Sequence, residues 1–106
     1  MPEMDEILLT QLVLMFQTAA LQQMGKLKNP ISEKVEKELS QARISIDMLE
    51  MLQKKMKGNL SSDEERMLSS VLQELRLNYV DEVSKSQRES AAPPPSSNNQ
   101  GSKQNP

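Results

Sequence analysis

This sequence predicts an all-α fold: a three-helix bundle that assembles with copies of itself and carries a disordered C-terminal tail. Three observations lead there. Apolar residues recur at spacings of three and four in three separate stretches. Two breaks, Gly25-Lys26-Leu27-Lys28-Asn29-Pro30 and Gly58-Asn59-Leu60-Ser61, each set a glycine just after a periodic stretch, where a left-handed residue closes a helix. No segment shows the sustained two-residue alternation of a strand. The expected helices run from about Asp5 to Met24, Ser32 to Lys57 and Ser62 to Ser84, in one domain of residues 1–85 ahead of a tail at 86–106.

The first helix has an unusual surface. Leu8, Leu9, Leu12, Val13, Met15, Phe16, Ala19, Ala20 and Met24 cover about half of its circumference. Ile7, Leu14 and Leu21 recur at sevens in the other half, flanked by the uncharged Thr10, Gln11, Gln17 and Thr18. A surface helix of a soluble monomer normally places Lys and Glu there. The segment therefore reads as covered on two sides, one of them by a second copy, with a dimer the simplest assembly.

The second helix carries a narrow stripe of Val35, Leu39, Ala42, Ile46, Leu49 and Met56, with Gln53 filling the gap. Its other side is laced with charge pairs four apart, such as Arg43 with Asp47 and Glu50 with Lys54. Ile44, Met48 and Met51 form a smaller patch opposite the stripe and join Ile7, Leu14, Leu21 and Phe16 as the expected oligomer or partner interface. Asn29 or Ser32 can cap this helix. Lys54, Lys55 and Lys57 compensate the dipole at its C-terminus.

A capping box, Ser61 with Glu64 or Ser62 with Glu65, opens the third helix. Leu68, Val71, Leu72, Leu75, Tyr79 and Val83 make its core face, while Met67, Leu77 and Val80 lie off it. Beyond Ser84 the apolar residues give out except for Ala91 and Ala92, and Pro93-Pro94-Pro95 leads into a Ser/Asn/Gln-rich end. Such a composition cannot bury enough apolar surface to offset its ordering entropy, and a loose spacer is the plainer reading over a ligand for a proline-binding domain.

The composition excludes much chemistry. Among the 106 residues there is no His, Cys or Trp, which removes the usual imidazole bases, thiolate nucleophiles and soft metal ligands. Asp63-Glu64-Glu65 reads as first-turn acids at a helix start, so no metal and no cofactor are expected. The glycines are isolated and form no phosphate loop. A net charge of −2 and two aromatic residues argue against a nucleic-acid partner. The acidic start differs from a signal peptide, and the absence of cysteine fits a reducing cytoplasm. Residues 7–25 lack charge, but Thr10, Gln11, Gln17, Thr18, Gln22 and Gln23 argue against a membrane span. Asp47, Arg76 and Tyr79 are the candidate polar site: Asp47 can pair with Arg43 one turn earlier or with Arg76 across the bundle. Neither a pocket nor a second titrating group marks Asp47 as catalytic, so no enzyme is expected.

Several motifs recur in a definite order: Phe16-Gln17-Thr18-Ala19, Gly25-Lys26-Leu27, Asn29-Pro30, Ala42-Arg43, Ile46-Asp47-Met48-Leu49, Lys57-Gly58-Asn59-Leu60, Glu74-Leu75-Arg76 and Tyr79-Val80. From about Met4 to Glu82 the chain resembles the bacterial family known as domain of unknown function eighteen-forty-four. The Thr-Gly-Glu that often follows the Asn-Pro in that family is Ile31-Ser32-Glu33 here. The resemblance implies a small, helical, bacterial and cytoplasmic protein, and it brings no catalytic residues. The expected role is a self-associating interaction or structural module that also takes another protein as partner. The alternative is a peripheral module that docks its first helix on a membrane surface or in a hydrophobic groove; the lack of Lys and Arg along that helix weighs against the membrane version.

Overall fold

The computed structural model describes residues 3–91. Three α-helices make up the bundle: α1 at Met4–Gln23, α2 at Leu39–Lys55 and α3 at Ser62–Ala91. Each helix packs on both others. Gln17 of α1 reaches Glu74 of α3, and Lys26 just beyond α1 reaches Asp81 further along α3, so these two helices run parallel. On α2, Gln53 pairs with Ser69 and Glu50 with Arg76, so α2 runs antiparallel to α3. The result is an up-down-up bundle.

The core is a single cluster. Val13, Ala20 and Met24 enter it from α1 and its C-cap, Ala42, Ile46 and Leu49 from α2, and Leu68, Val71, Leu72 and Leu75 from α3. On α2 and α3 these residues come from the stripes predicted by periodicity. Val35, at the head of the α2 stripe, is instead exposed and precedes the helix.

The helix ends follow local chemistry. Gly25 takes φ 83°. Its N–H donates to the Gln22 carbonyl at 3.0 Å and the Lys26 N–H to the Leu21 carbonyl at 2.8 Å, the paired closure of a Schellman motif. A Cβ at Gly25 would make only ordinary contact with Glu36 and Val35, so its dihedral rather than space demands glycine. Gly25→Ala is expected to lower stability by about 1–2 kcal/mol, read as a shift of the urea midpoint. At α3 the structure selects the Ser61–Glu64 capping box: the Ser61 N–H donates to Glu64 Oε1 at 2.8 Å and the Glu64 N–H to Ser61 Oγ at 3.1 Å.

Two boundaries differ from the sequence expectation. The second helix starts at Leu39, not Ser32. The Asn29 side chain accepts the N–H groups of Ile31 and Ser32, Ser32 Oγ accepts that of Lys34, and Glu33 stands at φ 58°. The residues expected to cap a helix thus close a turn, as short polar side chains readily do. The chain then runs without helix over 35–38, and the Glu38 N–H donates to the Gln23 carbonyl at the end of α1, 2.7 Å away. The third helix continues through 86–91, where a tail was expected, because nothing between Ser84 and Ala91 breaks a helix. The remainder of that expected tail, 92–106, lies outside the described residues.

Candidate functional site

On α1 only Val13 and Ala20 are buried. Leu9, Phe16 and Leu21 are half-buried and pack against the core. Met4, Ile7, Leu8, Leu12, Leu14 and Met15 are exposed, Met4 by 65 % and Met15 by 68 %. A helix that is apolar around its whole girth is normally surrounded by protein or lipid. Here one half of it faces outward. Gln11, Leu14, Met15, Thr18, Ala19 and Gln22 line a shallow depression along that outer face, with Thr18 and Ala19 as its small residues.

The second patch, Ile44, Met48 and Met51, is exposed on α2. The Ser45 hydroxyl donates to Gln23 Oε1 at 2.8 Å and marks where α2 meets α1. At 100° per residue, Ile44, Met48 and Met51 fall on the outward side of that seam, as do Leu8, Leu12, Met15 and Ala19 on α1. These residues of the two helices therefore flank one seam on the side away from α3, whereas Ile7 and Leu14 fall on the half of the outward face nearer α3. Of the interface residues expected from sequence, Ile7, Leu14, Ile44, Met48 and Met51 are on the surface. Phe16 and Leu21 are drawn inward, because three helices close more completely around α1 at those positions than a single-helix reading allows.

By length and composition α1 could also cross a membrane. In this fold its Val13 and Ala20 belong to the core shared with α2 and α3.

The candidate polar site does not assemble. Asp47 pairs with Arg43 one turn earlier, at 3.1 Å. Arg76 turns to Glu50 instead, its Nε and Nη2 lying 2.8 and 2.6 Å from one carboxylate oxygen. Tyr79 is half-buried against the core. The Asp47 carboxylate beside Arg43 raises that guanidinium's pKa above its ordinary value, as an ion pair does.

A different polar cluster begins one turn beyond Tyr79 on α3, beside the α1–α2 connection. Glu82 is 5 % exposed and has three lysines around it. Lys26 Nζ is 2.7 Å away, Lys37 Nζ 3.0 Å and Lys85 Nζ 3.3 Å. Asp81 adds pairs to Lys26 at 3.3 Å and Lys85 at 3.4 Å. Bonding to Lys26, then to Lys37 and Lys85, outweighs burial and brings the Glu82 pKa down to about 2. The same contact raises Lys26, and Lys26 followed by Lys85 lowers Asp81. Lys26 and Lys37 come from the two sides of the α1–α2 connection, so Glu82 ties that connection to α3. Sequence reading missed this cluster although a signal was present: Glu82 continues the spacing Leu68, Leu72, Leu75, Tyr79 along the core face. Among the described residues no group of three or more side chains is placed to hold a metal ion.

The sequence model of the family described as Domain of unknown function (DUF1844) matches residues 6–81. No curated protein and no solved structure matches the chain. The chain belongs to the DUF1844 family.

Proposed function

We propose that this DUF1844 member is a non-catalytic protein-interaction module that associates with itself through the outward face of α1, with the α2 patch at its flank. One observation carries the reading. From Ile7 to Gly25 the chain has no charged residue, yet within α1 only Val13 and Ala20 are buried by its own fold. Monomeric soluble proteins rarely leave so long an apolar surface open. The Glu82 cluster has the character of a structural tie, since its buried carboxylate is held by Lys26, Lys37 and Lys85.

A second reading, a peripheral role at a lipid surface, is favoured by the length and apolar character of α1. Against it stands the lack of basic residues along that helix, which interfacial helices use to engage anionic lipid.

The test replaces Leu14 and Met15 with glutamate, singly. Both side chains are exposed, so the fold should survive and circular dichroism should be unchanged. Light scattering coupled to gel filtration is expected to show the unmodified chain as a multiple of 12.0 kDa and each variant shifted toward 12.0 kDa. Equal masses of 12.0 kDa for all three, with the unmodified chain pelleting on liposomes of mixed zwitterionic and anionic lipid, would favour the lipid surface instead.

A further inference from the structure

We propose that the second copy lies with its α1 antiparallel to the first, across a two-fold axis close to Met15. This rests on the self-association reading and adds the orientation and the facing residues. The two ends of α1 differ in charge. Its first turn holds Asp5 and Glu6, with Glu3 at the N-cap, and no side-chain hydrogen bond caps that end. Its last turn holds no basic residue; Lys26 just beyond it is held by Glu82 and Asp81, and exposed Lys28 follows. Parallel packing sets acids against acids and aligns the two helix dipoles. Antiparallel packing separates the two acidic turns, brings each toward the Lys28 end of the other copy and opposes the dipoles.

Shape supports the same arrangement. With Met15 on the axis, Leu12 of one copy faces Thr18 of the other and Gln11 faces Ala19, so the longer side chains meet the small residues that floor the depression. Such a surface is complementary to itself, as a two-fold interface requires. The open area of the six exposed α1 side chains is on the order of 600 Å², and the α2 patch brings this near the ~800 Å² that each partner gives to a standard interface.

The chain has no cysteine, so single thiols can report the geometry. Met15→Cys and Met4→Cys change two of its most exposed side chains. A disulfide needs Cα atoms within about 7 Å. The antiparallel pair puts the two residues at position 15 in reach and separates those at position 4 by about 33 Å. Under mild oxidation of the full chain, Met15→Cys is expected to yield covalent dimer at least tenfold faster than Met4→Cys. Comparable rates for both indicate parallel packing and overturn the orientation while leaving self-association intact. A sedimenting dimer in which neither variant cross-links also overturns it. Unmodified chain and both variants sedimenting at 12.0 kDa before oxidation overturn self-association itself.

Discussion

Leu72→Ala lowers the free energy of unfolding by about 3–4 kcal/mol. Leu72 has no exposed surface and lies in the middle of the α3 core row between Leu68 and Leu75. Truncation removes apolar area from the one cluster the three helices share and leaves a cavity that they can only partly close. A shift of a few kcal/mol is a large share of the stability of a domain this small. Leu77→Ala on the same helix is the control: Leu77 is 67 % exposed, and its loss is expected to stay within about 0.5 kcal/mol. Urea denaturation at one fixed protein concentration checks both, because association makes stability concentration-dependent. Equal effects for Leu72 and Leu77 would mean that α3 packs through another face.

Glu82→Gln has the next largest effect. The substitution keeps size and oxygen acceptor but removes the one charge that Lys26 and Lys37 share. Breaking a buried pair costs about 3–5 kcal/mol, and the partly exposed lysines reduce this to roughly 2 kcal/mol at pH 7. The pH profile supplies a second readout. Glu82 falls from an ordinary value of 4.5 to about 2 in the folded state. Between those values the unfolded chain binds more protons, so this glutamate's contribution is complete above pH 4.5 and disappears as pH falls through about 2. Thermal unfolding scans from pH 7 to pH 2 are expected to show a steep acid loss in the unmodified chain and a shallower one in Glu82→Gln. Parallel profiles would show that the lysines find equivalent partners without Glu82.

The legible part of the fold is the part set by local periodicity. Leu68, Leu72 and Leu75 keep one face of α3, Ala42, Ile46 and Leu49 one face of α2, and both enter the core. Gly25, Gly58 and the Ser61–Glu64 box mark helix ends through backbone demands that belong to those residues alone. The start of α2 was not legible, because Asn29 and Ser32 serve a turn as well as a cap and the choice depends on Glu38 reaching Gln23 across the connection. Cross-helix pairing was hidden for a related reason. Arg76 meets Glu50 and not Asp47, and Lys37 meets Glu82 on α3, because inter-helix register brings together side chains far apart in sequence. Helix α1 shows both outcomes: the excess of its apolar surface was visible, whereas the inward packing of Phe16 and Leu21 needed the neighbouring helices in place.

The mass of the unmodified chain in solution tests the central claim most directly. Sedimentation equilibrium over a range of micromolar concentrations is expected to fit a reversible two-copy assembly, its mass approaching twice 12.0 kDa as concentration rises. A fit to 12.0 kDa at every concentration, with the helices intact, would contradict it.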